Sequence, residues 1–65
     1  MQITVNGNKS TYQDAITVTD LIKHFKLAPQ WVIVELNGEP LARDQYQQVL
    51  EHGDTIEMVR PVAGG

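Results

Sequence analysis

Cysteine is absent from all 65 residues. That excludes disulfides, thiolate nucleophiles and thiolate metal sites. A secreted domain this small would ordinarily carry disulfides, so the expected location is cytoplasmic. No apolar run approaches the ~20 residues that cross a bilayer. Met1-Gln2-Ile3-Thr4-Val5 lacks the basic start and apolar stretch of a signal peptide. No membrane partner is therefore expected. Basic charge is scarce as well: five Lys and Arg stand against eight Asp and Glu, a net charge of −3. The bases, Lys9, Lys23, Lys26, Arg43 and Arg60, are scattered, whereas nucleic acid calls for a clustered basic face. Nucleic acid is excluded as a partner on that ground.

Groups that could perform chemistry are equally sparse. The two histidines, His24 and His52, are too few and too far apart for a metal site. His24 is expected to point to solvent and His52 to lie in a turn. The serine and threonines have no evident histidine partner, so no triad can be assembled. No glycine-rich loop joins a strand to a helix in a phosphate-binding arrangement. The body of the chain has no catalytic residues of its own and no bound cofactor.

What is present is a clear succession of short elements. Ile3 and Val5 alternate with Gln2 and Thr4 at the period of a half-buried strand. Asn6-Gly7 is the strongest two-residue hairpin signal, and residues 8–13 return as a polar second strand. Thr17 and Asp20 form a capping-box-like pair. Behind them Val18, Leu21, Ile22 and Phe25 make one apolar stripe at helical spacing, which predicts a helix over about 18–26 ended by Pro29. Trp31 to Leu36 is rich in β-branched residues and reads as a buried strand. Asn37-Gly38 repeats the turn signal. Pro40 confines the next extended piece to an edge or a loop. Residues 43–51 suit a short helix or 3₁₀ turn. Ile56 and Met58 alternate with Glu57 in a last strand. The order is β-β-α-β-(short piece)-β in a single domain over 1–65. One helix can cover only one face of the sheet. The expected class is α+β, a small mixed sheet with one main helix packed across one face. Ile3, Val5, Leu21, Ile22, Phe25, Val34, Leu36, Ile56 and Met58 are the expected core. Trp31, Ile33 and Val59 put apolar side chains on the opposite face, where an exposed patch would mark a partner surface.

The sequence closes Pro61-Val62-Ala63-Gly64-Gly65. Glycine has no Cβ, so an extended Gly-Gly segment can enter a channel that side chains would block. The six residues from Arg60 onward span at most about 20 Å, enough to carry a carboxylate into another protein. If the chain takes part in chemistry, the reacting group is the Gly65 carboxylate and the catalyst is a partner. With an α-carboxyl pKa near ~3.5, this group is an anion at neutral pH and a poor acyl donor. It can attack the α-phosphorus of ATP once a partner supplies Mg²⁺ and basic groups. The resulting mixed anhydride with AMP can be opened by a sulfur nucleophile, which must come from outside.

These residues resemble a known family. The element order is that of ubiquitin-like β-grasp proteins, and the stretch from Gly53 to Gly65 is similar to the ending of prokaryotic sulfur carriers. Asn37-Gly38-Glu39-Pro40-Leu41-Ala42-Arg43-Asp44-Gln45-Tyr46 resembles the pattern of the ThiS branch, the carriers of thiazole synthesis. The resemblance implies that an E1-like adenylyltransferase activates Gly65 with ATP and Mg²⁺. A cysteine desulfurase system supplies a persulfide, and the terminus becomes a thiocarboxylate. Thiazole synthase then receives the sulfur for thiamine. It also implies that Gly64, Ala63 and Val62 thread into the partner, and it makes Arg43 and Tyr46 further candidate docking residues beside Trp31, Ile33 and Val59. Carriers for molybdopterin or cysteine synthesis use the same mechanism, and a ubiquitin-like protein modifier would use the same terminus.

Overall fold

The structure, a computed structural model, describes residues 1–61. Strands β1 (Gln2–Val5) and β2 (Asn8–Thr11) form the first hairpin. Helix α1 (Val18–His24) follows, then β3 (Ile33–Leu36), β4 (Glu39–Leu41) and β5 (Thr55–Val59). Short 3₁₀ turns lie at Pro29–Trp31 and Arg43–Gln45. The five strands make one sheet in the order β2-β1-β5-β3-β4. The first and last strands are parallel neighbours at its centre, and the other pairs are antiparallel. This is the mixed β-grasp sheet expected from the element order.

Both hairpins turn as their sequences demand. Asn6 and Gly7 have φ of 48° and 84°, and Asn37 and Gly38 have 52° and 83°. Two successive positive φ values define the type I′ turn, whose twist matches that of the strands it joins. Pro40 sits on β4, an edge strand, where its missing N–H costs no ladder bond to a further neighbour.

The capping box forms as expected. The Thr17 side chain accepts from the Asp20 N–H at 3.0 Å, and the Asp20 carboxylate accepts from the Thr17 N–H at 3.1 Å. The loop after the second 3₁₀ turn satisfies the remaining early donors. Val18 N–H donates to the Gln48 carbonyl at 3.1 Å, and Thr19 N–H to the Tyr46 carbonyl at 2.9 Å. The helix is shorter than its apolar stripe suggests. At its C-terminus Lys26 adopts φ 61°, with Lys26 N–H bonded to the Lys23 carbonyl at 2.8 Å and Leu27 N–H to the Ile22 carbonyl at 3.2 Å. This is a Schellman closure, and it turns the chain away at Phe25.

Twelve hydrophobic residues form one buried cluster. Val18, Leu21 and Ile22 of the helix meet Ile3, Val5, Val34, Ile56 and Met58 of the sheet, with Ile16, Val32, Tyr46 and Leu50 completing it. Phe25 is not in the core. It is 43% exposed, because the helix has ended before the stripe's last position comes round to the sheet. Leu27, the residue after the left-handed Lys26, packs against the core instead. Leu36 is only partly buried. The strand expected from Trp31 begins at Ile33, since Pro29 starts a 3₁₀ turn that takes in Trp31. The second strand ends at Thr11 rather than 13.

Two outcomes follow. Leu21→Ala is expected to cost about 2–5 kcal/mol, and Phe25→Ala less than about 1 kcal/mol. Urea unfolding of the two variants reads the difference directly; equal losses would contradict the placement of Phe25. The second concerns pH. The hydrogen bond from the Thr17 backbone, aided by the one with its side chain, holds the Asp20 carboxyl below its ordinary value of 3.8. A lowered folded pKa gives stability that is complete above the unfolded value and disappears as pH falls through the folded one. The Tm gap between wild type and Asp20→Ala should therefore narrow as pH is lowered below about 4. A gap that stays constant down to the acid unfolding limit would show that the carboxylate charge plays no part in the cap.

Candidate functional site: the exit of the central strand

The chain leaves the domain from β5, so the geometry around β5 decides where the C-terminal residues go. β1 pairs with β5 only through Thr4 opposite Thr55 and Val5 opposite Ile56. Beyond that point β1 has turned, and the Asn6 side chain takes over its role. Asn6 Oδ1 accepts from the Met58 N–H at 2.8 Å, and Asn6 Nδ2 donates to the Met58 carbonyl at 3.3 Å. The Asn6 backbone N–H donates to the Ile56 carbonyl at 2.9 Å. One amide side chain thus offers a donor and an acceptor, as a strand residue does. Asn37 of the other turn acts at the opposite end of β5. Its Oδ1 accepts from the Thr55 N–H at 2.8 Å, and its Nδ2 donates to Asp54 at 3.0 Å. The sequence signals mark both asparagines as turn formers; their grip on β5 is visible only in the fold.

The expected apolar surface lies beside this exit. Ile33 and Val59 are register partners across β3 and β5. They are 48% and 56% exposed, and Trp31, in the 3₁₀ turn that leads into β3, is 66% exposed. No loop among the described residues covers them. Arg60 and Pro61 follow, both exposed. Val62, Ala63, Gly64 and Gly65 lie outside the described residues, as does most of the expected tail.

Arg43 and Tyr46 sit elsewhere, Tyr46 buried and Arg43 exposed. The Tyr46 ring is buried, and its hydroxyl donates to the Val32 carbonyl at 2.7 Å. Arg43 donates to the carbonyls of Pro29 at 2.8 Å and Val32 at 3.4 Å, with its guanidinium 6.0 Å from the centre of the Tyr46 ring. Tyr46 therefore offers no ring to a partner; the pair fixes the loop to the entrance of β3. His52 also has a structural place, since its Nδ1 accepts from the Gln2 N–H at 3.0 Å. His24 is exposed, edge-on to Tyr12 and Phe25. Among the described residues no three His, Cys, Asp or Glu side chains are grouped to hold a metal ion. None of the helices described is long and apolar enough to cross a membrane.

Among the described residues, β5 is bonded along both edges, by β3 on one side and by β1 and Asn6 on the other. The ThiS family model matches residues 2–65. The chain belongs to the ThiS family. The sulfur carrier protein ThiS of Bacillus subtilis (strain 168) is 36% identical over 63 residues, 94% of this chain and 96% of that protein. A crystal structure of the thiamine biosynthesis protein ThiS from Geobacter metallireducens superposes with a TM-score of 0.82 at 38% identity, covering 100% of both chains. A solution structure of a Geobacter metallireducens thiamine biosynthesis protein gives 0.78 at 39% identity, covering 100% of this chain and 88% of that one. The fold of this ThiS-family chain is accordingly the ubiquitin-like β-grasp.

Asn6→Gly isolates the grip on β5, because glycine keeps the positive φ of the turn and removes both side-chain bonds. The variant is expected to stay folded, to lose about 1–3 kcal/mol, and to show about tenfold or faster amide exchange at Met58. Hydrogen exchange followed by NMR measures it. Unchanged protection at Met58 would mean that another group holds the exit of β5.

Proposed function

We propose that this ThiS-family protein, a sulfur carrier of thiamine biosynthesis and not itself a catalyst, works through the carboxylate of Gly65. The carrying observation is the match of the family model through both terminal glycines.

The chemistry belongs to the partners. In the E1-like adenylyltransferase a Gly65 carboxylate oxygen attacks the α-phosphorus of ATP, and pyrophosphate leaves with Mg²⁺ neutralising its charge. The acyl-adenylate has a good leaving group where the carboxylate had none. The terminal sulfur of a cysteine persulfide, supplied by a desulfurase, attacks the acyl carbon and AMP departs. A thiol then reduces the S–S bond of the acyl disulfide, which leaves a thiocarboxylate on Gly65 and a disulfide on the thiol partner. Thiazole synthase receives the sulfur from that thiocarboxylate. A low-pKa thiocarboxylate is a nucleophile at neutral pH, so the carrier converts a reactive persulfide into a form that can be delivered to one enzyme.

The domain contributes placement. The grip of Asn6 and Asn37 on β5 sets the direction in which Arg60 and Pro61 leave. Gly64 and Gly65 can then follow a channel too narrow for side chains. Trp31, with Ile33 and Val59, supplies an apolar surface at the root of the tail on which both enzymes can seat.

Deleting Gly65 is expected to abolish ATP–pyrophosphate exchange by the cognate adenylyltransferase while far-UV circular dichroism stays native. Gly64→Val is expected to lower kcat/KM for activation by about tenfold or more, since a branched side chain blocks the channel. In the presence of ATP, a desulfurase and a thiol, wild-type protein should gain the mass of one sulfur in exchange for one oxygen. Exchange activity that survives loss of Gly65 would refute the assignment.

A further inference from the structure

Glu35 and Glu57 stand directly opposite each other across the β3–β5 pair. Both are exposed, and both point to the sheet face that α1 does not cover. Ile33 and Val59 lie two residues away on the same strands, so they share that face. Opposed residues of an antiparallel pair have Cβ atoms about 4.5–5.5 Å apart, and like charges so placed destabilise the sheet. No ion pair among the described residues relieves this repulsion. On the β4 side the neighbour of Glu35 is Pro40, which carries no charge. Lys9, opposite Thr4, shares this open face but lies two strands away from β5, and it makes no ion pair with either carboxylate. The ion pair found among the described residues joins the Met1 ammonium to Asp14.

We propose that Glu35 and Glu57 form, with Ile33, Val59 and Trp31, one docking surface whose protein partner sets an arginine guanidinium between the two carboxylates while its apolar side chains cover the neighbouring patch. The proposal rests on the sulfur-carrier reading and adds the chemistry of the partner's contact surface. Charge complementarity identifies the occupant. Two carboxylates within one rung of a sheet, on a chain of net charge −3, call for a cation from outside. Guanidinium meets the geometry better than ammonium, since its planar fork presents several donors and can bond two carboxylates at once. The repulsion present in the free domain is then relieved only in the complex. The carboxylates also draw a basic surface toward the root of the tail and set its register on the apolar patch.

Calorimetric titration of the full chain against its E1-like adenylyltransferase, at low and high salt, tests this together with thermal melts of the free variants. Glu57→Lys faces Glu35 with an opposite charge, so the free protein should melt higher than wild type. Its affinity should nonetheless fall about tenfold or more, with a flattened salt dependence. Glu57→Gln should also melt higher and should lose severalfold in affinity. A loss of affinity accompanied by a gain in stability cannot come from unfolding. Wild-type affinity in Glu57→Lys would overturn the proposal. If that variant still acquires the thiocarboxylate normally while Ile33→Asp fails to bind, the sulfur-carrier reading stands and the arginine contact is wrong. If wild-type protein gains no sulfur from the activating enzyme, ATP and a persulfide donor, the reading itself fails and the inference falls with it.

Discussion

The β5 main chain is bonded along both edges, and everything else in the molecule is arranged around it. β3 supplies one edge over four register pairs. The other edge is shared between β1, which reaches Ile56, and the side chain of Asn6, which takes the next rung at Met58. At the strand's beginning Asn37 holds Thr55. Each type I′ turn thus has two roles. Its positive φ values reverse the chain, and its asparagine projects back onto the central strand. Aspartate would suit the turn nearly as well but would lack the amide donor that Asn6 gives to the Met58 carbonyl. A strand held this way carries little freedom to its last residues, so Arg60 and Pro61 leave it from a fixed point.

The second constraint is the attachment of the helix. α1 has only seven residues, too short to be stable alone. Its N-terminus is tied to the loop after the second 3₁₀ turn through the carbonyls of Tyr46 and Gln48. Tyr46 in turn is held by its hydroxyl at the Val32 carbonyl. The same residue therefore connects α1, the loop and the start of β3. Arg43 closes the same corner from outside by donating to Pro29 and Val32. Their three-residue spacing stands out in sequence; in the fold the two side chains brace this corner through the carbonyls of Pro29 and Val32.

Signals that act over a few residues were legible, and those that depend on distant ones were not. Asn-Gly turns, the Thr17–Asp20 box and the alternation of Ile56 and Met58 are local, and each took its expected form. The apolar stripe placed Leu21 and Ile22 correctly and Phe25 wrongly, because periodicity carries no information about where a helix stops. The stop was set by Lys26 in a left-handed conformation, which the sequence does not announce as a glycine would. Val32, Ile16, Leu50 and Tyr46 are tied by long-range bonds, Tyr46 to the Val32 carbonyl and Leu50 to the Ile16 carbonyl, so local pattern alone could not rank them. For the site, the alternation along Trp31–Leu36 put Ile33 on the open face with Val59, and both are exposed there. The strand-like role of Asn6 required knowing that β1 and β5 are neighbours.

The open face is itself a consequence of size. A chain of 65 residues with one two-turn helix has material to cover only one side of a five-stranded sheet. The uncovered side must then be tolerable to water, and most of its positions are: Gln2, Thr4, Lys9 and Thr11 on β1 and β2 meet that demand. The exceptions are concentrated on β3 and β5, at the end from which the tail departs. Apolar Ile33 and Val59 and the opposed Glu35 and Glu57 each lower the quality of the free domain's surface, one by exposing hydrocarbon and the other by repulsion. A partner that covers this corner removes both penalties in one step. Burial on this face would then take place beside Arg60 and Pro61, where the chain leaves β5.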